Sequence, residues 1–549
     1  MKKTLWFIVG IVGCLSLAAG AYFWATGLIT SLYNYRSPLH ADPPKAGNPV
    51  GPGLSRKVVL VLIDALRNDT SLDKDVMPFL NQLRAKGAYA TMHSRPPSYS
   101  EPGYSILLTG AWPDISDGPA MNLDYVDIPS WTQDNLYSAA HRAGLGTAVS
   151  GYNWFEKLIP QADVTDSFYT AGEDAAADQD VMAAALPMLS GADQLVLIHI
   201  DQVDYAGHYQ GGPINPNWDA AATRADALLE EIASKLDLSQ DTLVVFSDHG
   251  QIDRGGHGGQ DPITLVEPFV MVGTGVKPGR YADIQMVDVA PTMAVLLGTS
   301  LPASNEGHPL TDMLTVPAAE LATIQNDLQT QQAQLLSAYL SAIGAPSQPA
   351  QGTDVVSATQ AVIDHARAGR LGRERVGRIV LVLLLAAIPA AVLIIRKQMK
   401  ALWLLGGALV YTLLFNLRYA VLSGRTYSLS SVASKTEVIV YTGVTAAVSL
   451  VIVWLVLAFW QKYFRQGPSR AAASTLGLTL MTIYVLALPI LVGFALNGTL
   501  VGWTLPDFLS MFLSFLSIIQ SLVVAVVGLL LTGIAAAIAA LLPKARRLA

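Results

Sequence analysis

Carboxylates and imidazoles recur at three points of the chain that read as the ends of short apolar strands. Asp64 closes Lys57-Val-Val-Leu-Val-Leu-Ile. Asp201-Gln-Val-Asp204-Tyr-Ala-Gly-His208 follows Leu195–Ile200. Asp248-His249-Gly follows Leu243-Val-Val-Phe-Ser, with His257 set among glycines 255, 256, 258 and 259 shortly after. In open α/β sheets, ligands bind where strands end. Groups of this kind gathered there repel one another unless cations neutralise them. Oxygen and nitrogen ligands without sulfur suit hydrolytic Zn²⁺ or Mn²⁺. Each piece alone has a plainer reading: a helix cap or turn for the strand-end Asp, a surface pair for Asp-x-x-x-His, a flexible loop for the glycines. Their joint occurrence at three strand ends carries the argument. Asp201 competes with Asp204, but only Asp204 has the Gly-His spacing that leads to His208.

A nucleophile is still needed. Arg95-Pro-Pro-Ser98-Tyr-Ser100-Glu-Pro-Gly-Tyr104 precedes an apolar, helix-like run, Ser105–Thr109. Ser98 falls near that helix start, where free N–H groups can hold phosphate oxygens. The plainer reading is that Ser98 or Ser100 caps the helix. A serine hydroxyl is a weak nucleophile until a metal ion lowers its pKa.

The elements that position these residues read as α/β from Lys57 to about Gly344. Val58–Ile63, Gln194–His199 and Thr242–Phe246 are continuous rather than alternating apolar runs, as in a mostly parallel sheet sandwiched by helices. Met77–Lys86 and Ala220–Lys235 read as intervening helices. Ala318–Ile343 reads as a further helix packed on its own domain, with an oligomer seam as the alternative.

With 549 residues, the chain holds more than one structural unit. Hydrophobic residues make up 52% and charged residues 14%, which excludes a purely soluble or disordered protein. All nine histidines lie between His40 and His365, whereas beyond Ile379 the acidic residues are Glu437 and Asp507. One part suits water and the other lipid. The net charge of −7, without a basic stripe, argues against nucleic acid as a partner. Cys14 is the sole cysteine, so there is no internal disulfide and no thiolate metal cluster.

The expected organisation is an N-terminal signal anchor over 1–33, a Pro/Gly-rich stem over 34–56 and a catalytic domain over 57–344. A linker and basic juxtamembrane helix over 345–378 and a membrane domain over 379–549 complete it. The length of the first apolar run favours an uncleaved anchor over a cleaved signal peptide or a lipidated Cys14. Five C-terminal helices are expected, near 379–395, 401–417, 437–460, 471–495 and 508–541. Placing Lys2/Lys3, Arg396/Lys397/Lys400, Lys462/Arg465/Arg470 and Lys544/Arg546/Arg547 in the cytoplasm gives six spans and an outward-facing catalytic domain. Arginines 367–378 run against that tendency. The lone cysteine and the lysine-led start point to a bacterial cell membrane.

Ile-Asp64-Ala-Leu-Arg67, Pro97-Ser98-Tyr-Ser-Glu-Pro-Gly103, Asp204-x-x-x-His208, Ser-Asp248-His249-Gly and Gly-Gly-His257-Gly occur in the order seen in the alkaline phosphatase superfamily, which the chain resembles. Within it, the chain is most similar to the ethanolamine-phosphate transferases of glycosylphosphatidylinositol synthesis, and next to the type I phosphodiesterase/nucleotide pyrophosphatases. Asp288-Val-Ala-Pro291-Thr292, Leu297-Gly and Ser304-Asn305-Glu-Gly307 are similar to the closing segment of those transferase domains. The resemblance implies two metal ions, usually zinc, with Asp64, Ser98, Asp248 and His249 around one and Asp204, His208 and His257 around the other. It implies in-line attack by Ser98 on phosphorus and a covalent phospho-enzyme, resolved by water or by a glycolipid hydroxyl. Asn122 stands where related enzymes place an asparagine against the phosphate. Those relatives commonly carry threonine where this chain has Ser98, which leaves Ser100 as a competitor. Sulfatases of this fold need a cysteine or serine in a Pro-x-Arg context, and Ser98 lacks it.

The expected function is therefore a membrane-bound, metal-dependent transferase of a phosphoethanolamine-like group, with a phosphorylated lipid or phosphodiester as substrate. A phosphodiesterase, nucleotide pyrophosphatase or phosphatase that uses water is the alternative. A transporter is disfavoured by the scarcity of intramembrane charge, and an inactive scaffold by the intact ligand set.

Overall fold

Six apolar residues in a row, Val58–Ile63, cannot alternate between core and water, so both faces of this strand must be covered. In the computed structural model they are. Val58, Leu60 and Leu62 enter one hydrophobic core, while Val59, Val61 and Ile63 enter another on the opposite face. The structure describes residues 2–395, 402–432, 434–460 and 462–542. The basic residues at 396, 397, 400, 544, 546 and 547, and the side chains of Lys2, Lys3 and Cys14, lie outside the described residues.

The chain divides into two compact units, one of residues 31–371 with 502–505, the other of residues 1–30, 372–501 and 506–549. The first is α/β. Its strands are β1 (Lys57–Ile63), β2 (Ala88–His93), β3 (Thr147–Tyr152), β4 (Asp166–Thr170), β5 (Leu195–Ile200), β6 (Asp241–Phe246), β7 (Val266–Gly273), β8 (Gly279–Arg280) and β9 (Ile284–Gln285). They form one mixed sheet in the order β4-β3-β5-β1-β6-β7-β2-β8, with β9 also on β2. The run from β4 to β6 is parallel, and β7 pairs antiparallel with β6 and β2. Leu62 lies opposite both His199 and Phe246, so the ends of β5, β1 and β6 stand side by side.

The second unit is helical. Among the described residues, five helices are long and apolar enough to cross a membrane: Val355–Ile395, Leu402–Leu422, Thr436–Trp460, Pro468–Asn497 and Phe508–Leu541. The chain is accordingly an integral membrane protein. A further helix spans Lys2–Tyr33. The expected basic segment and the first expected span are one continuous helix, Val355–Ile395, of which residues 355–371 belong to the α/β unit. In the helical unit Tyr411, Phe415, Leu450, Trp454 and Leu516 build the core. The hydroxyls of Thr475, Thr479 and Thr482 donate to carbonyls four residues back, satisfying polar groups where water is scarce.

Candidate active site at the strand ends

Asp64 leaves β1 through a tight turn in which Ala65 takes a positive φ of 59°. That turn aims the Ala65 N–H at Asp248 Oδ1, 3.2 Å away at the end of β6. Gly103 makes room for the same approach from the other side, since a Cβ there would stand 2.8 Å from the Asp248 Cβ. Asp64, Asp248 and His249 are all buried. His249 Nε2 lies 3.4 Å from Asp64 Oδ1 and 3.4 Å from Asp248 Oδ2. Its Nδ1 faces the Gly250 carbonyl at 3.1 Å, which turns Nε2 toward the carboxylates.

A second group adjoins the first. Asp204 and His208 stand one turn apart on the helix Gln202–Tyr209, with Asp204 Oδ2 3.3 Å from His208 Nε2. Asp204 Oδ1 is 3.6 Å from His257 Nε2, and the two imidazole Nε2 atoms are 2.9 Å apart. The His249 and His257 rings stack at 3.9 Å and join the groups. Asp204, His208 and His257 form one set of ligand atoms lying within 4.8 Å of one another, and Asp64, Asp204 and His249 form another.

The donor chemistry fits divalent cations. Asp64 Oδ1 and Asp248 Oδ2 are buried without a hydrogen-bond partner, and both point at His249 Nε2. Burial and the neighbouring Asp64 push the Asp248 carboxyl well above the ordinary range. Burial, with His249 and His208 adding to it, drives His257 well below its usual value. Burial also raises Asp64, but the hydrogen bond from His199 and the charges of His249 and His199 together outweigh it and hold that carboxyl low.

The two serines part company. Ser98 Oγ accepts from the Gly258 N–H at 2.9 Å and bonds the Gly259 carbonyl and Thr264 Oγ1, both at 3.0 Å. That hydroxyl is committed to the glycine loop. Its own carbonyl faces His257 Nδ1 at 2.9 Å and so orients the imidazole. Ser100, at the start of the helix Ser100–Thr109, sets its Oγ 3.1 Å from His249 Nε2. The structure thus brings Asp64, Asp204, His208, Asp248, His249 and His257 together, and joins to them the hydroxyl of Ser100 rather than that of Ser98. Asn122 stands at the same helix start, its Oδ1 accepting from the Glu101 N–H at 3.1 Å.

Residues 58–297 match the model of the type I phosphodiesterase / nucleotide pyrophosphatase family, an interval that contains every residue of both groups. The match falls within the α/β unit, where it covers the sheet from β1 to β9. Human GPI ethanolamine phosphate transferase 2, catalytic subunit, is 28% identical over 277 residues, 47% of this chain and 28% of that protein. GPI ethanolamine phosphate transferase 2 of Kluyveromyces lactis is 27% identical over 306 residues, 49% of this chain and 38% of its own length. The chain therefore spans about a third of the length of these relatives. Murine ectonucleotide pyrophosphatase / phosphodiesterase 5 aligns with 47% of this chain and all of its own, at 15% identity and a TM-score of 0.39.

Three residues of the α/β unit escape motif reasoning. His199 Nε2 contacts Asp64 Oδ2 at 3.0 Å and Tyr104 OH at 3.0 Å, and the Tyr104 hydroxyl donates to the same Asp64 oxygen. A histidine inside the otherwise apolar Leu-Val-Leu-Ile-His-Ile strand was the available signal. Gln251 donates to Asp204 Oδ1 at 2.5 Å and accepts from the Gly256 N–H at 3.0 Å, tying the helix to the glycine loop. Nothing in its sequence context marks it.

Proposed function

We propose that the domain cleaves a lipid-borne phosphodiester through Ser100 and passes a phosphoethanolamine-like group to a hydroxyl acceptor at the membrane. The observation that carries this reading is the Ser100 hydroxyl, 3.1 Å from His249 Nε2 and beside two buried carboxylate oxygens that lack partners. Asp64, Asp248, His249 and Ser100 would hold one divalent cation, and Asp204, His208 and His257 the other. Zinc or manganese there would lower the serine pKa and share the phosphate charge. Ser100 Oγ forms a bond to phosphorus while the bond to the departing lipid oxygen breaks. One proton leaves Ser100 for water and one is taken up by the departing oxygen. The acceptor hydroxyl then attacks phosphorus, loses its proton and frees Ser100, which regains one. Asn122 and the N–H groups at the helix start face the phosphoryl oxygens. Hydrolysis, with water as acceptor, is the second reading and is favoured by the matched family.

Covalent continuity with a membrane unit supports a lipid-linked substrate. The basic residues Lys462, Arg465 and Arg470 between two apolar helices support an outward-facing catalytic domain. The test is p-nitrophenol release from bis(p-nitrophenyl) phosphate by the full chain, with chelation and zinc return. Ser100→Ala is expected to lose activity by roughly a thousandfold or more, and Ser98→Ala by less than about tenfold. Zinc-dependent turnover that survives in Ser100→Ala overturns the assignment. Product analysis with a lipid acceptor then separates transfer from hydrolysis.

A further inference from the structure

The loops that leave β3 and β4 emerge at the same sheet end as β5, because β3 lies between β4 and β5 and all three run parallel. They bring to the edge of the candidate site a carboxylate and several rings that the proposed chemistry does not use. Tyr152 ends β3, and its backbone N–H faces His199 Nδ1 at 3.4 Å, one residue removed from Asp64. Its hydroxyl donates to Glu173 Oε1 at 3.1 Å, in the loop after β4. Its ring meets Trp154 edge-on at 4.9 Å. Tyr209, which follows His208 directly, packs on Tyr205 at 4.9 Å, has its ring 6.0 Å from that of His208 and lies within electrostatic reach of Glu173 and Tyr152.

Glu173 is half-buried, and among the described residues no Lys, Arg or His forms an ion pair with it. Its hydrogen-bond partner, the Tyr152 hydroxyl, is neutral. A negative charge kept next to a phosphoryl-transfer centre repels an anionic ester, so its presence favours substrates that carry a compensating cation close to the phosphate. Carboxylates bracketed by aromatic faces are suited to alkylammonium groups, through a charge-assisted hydrogen bond and cation–π contact.

We propose that Glu173, with Tyr152 and Tyr209, forms a subsite for the ammonium end of a zwitterionic phosphodiester and selects an aminoethyl head over an uncharged one. This rests on the reading above and names the residues that recognise the aminoethyl end of the phosphoethanolamine-like group. Trp154 holds the Tyr152 ring, and the exposed Tyr209 ring supplies a second aromatic face. Nucleotides and phosphodiesters whose alkyl group is uncharged lack the cation and gain nothing from the subsite.

The experiment compares kcat/KM for 4-nitrophenyl 2-aminoethyl phosphate with that for 4-nitrophenyl propyl phosphate, which is nearly isosteric but lacks the cation. Zinc-loaded full chain and Glu173→Gln, which retains an oxygen for the Tyr152 hydroxyl, are measured side by side. Wild type is expected to favour the aminoethyl ester by about tenfold or more, and Glu173→Gln to bring the ratio near unity, mainly through KM. A wild-type ratio near unity, or the same ratio in both proteins, overturns the subsite while leaving the phosphodiester reading intact. If neither ester turns over, that reading falls, and the subsite is decided by calorimetry on zinc-loaded Ser100→Ala. There O-phosphoethanolamine must bind about tenfold more tightly than propyl phosphate, with the difference removed by Glu173→Gln. Equal binding overturns it.

Discussion

Two hydroxyls two residues apart meet different fates because the helix begins between them. Tyr99 has extended backbone, and the helix opens at Ser100. Ser98 remains in the extended segment against the glycine loop, whereas Ser100 turns in beneath His249. The apolar run read from sequence as helical starts at Ser105, whereas the helix takes in Pro102 and Gly103 as well. Proline is tolerated in a first turn, where its missing N–H has no intrahelical partner, and Gly103 is what lets Asp248 come close. Asp64, Asp248 and His249 were legible because they close apolar runs, Asp204 and His208 by their four-residue spacing just beyond one, and His257 by its glycine setting, whereas serines at i and i+2 of an extended segment share a face and offer no such distinction. The buried, unpartnered oxygens of Asp64 and Asp248 give the cation proposal a thermal signature. Removing metal from the full chain is expected to lower Tm, and zinc at about a hundred times its dissociation constant to restore about 2.7 kcal/mol. His257→Ala, which removes one ligand and keeps Ser100, should blunt that rise. A Tm indifferent to chelator and zinc in wild type would sink the cation assignment.

At the scale of elements, the site depends on two rigid presentations of ligand pairs. The parallel neighbours β5, β1 and β6 deliver Asp64 and Asp248–His249 on adjoining strand ends. The helix Gln202–Tyr209 delivers Asp204 and His208 on one face. Between those two residues sits Gly207, where a Cβ would overlap the carboxamide of the fully buried Gln251. Alanine there would gain up to about 1 kcal/mol of helix propensity. The overlap would cost about 1–3 kcal/mol and displace the side chain that holds Asp204 and the Gly256 N–H. Destabilisation is therefore expected to win, with weaker zinc binding beside it. Denaturation of Gly207→Ala with and without zinc checks both, and an unchanged or raised Tm would show that Gln251 can move aside freely. The α/β layering was readable in advance because continuous apolar strands need cover on both faces. The union of the basic segment with the first apolar span was not, since a change from charged to apolar composition looks like a boundary even when helical hydrogen bonding continues through it.

At the scale of the whole molecule, the long helix Val355–Ile395 contributes to both units, and its first turns are held in the α/β unit. Arg367 pairs with Asp114 at 2.5 Å and meets the Tyr339 hydroxyl at 2.6 Å. Gln360 donates to Glu306 at 3.2 Å. Asp354 caps the helix, Oδ1 accepting from the Val356 N–H at 3.1 Å, and the same oxygen takes His308 Nε2 at 2.9 Å. The Asp288 carboxylate, 3.8 Å from the ring Nδ1, raises His308 from 6.5 to about 9; burial opposes this, and the bond to Asp354 adds to the rise. Burial raises Asp354, but its hydrogen bonds with Ser357 and His308 hold it below 3.8. The signs follow by linkage. The His308 contribution is full below pH 6.5 and disappears as the pH rises through about 9. The Asp354 contribution is present above pH 3.8 and fades as the pH falls below it. The clasp is therefore strongest between those limits. His308 is 44% exposed, so solvent screening keeps its worth to about 1 kcal/mol or less. His308→Gln should lower Tm most near about pH 5–6 and match wild type near about pH 10. A difference in Tm that stays constant from one pH to the other would mean that the charge on His308 does not hold the helix start, and that its contact with Asp354 acts only through shape.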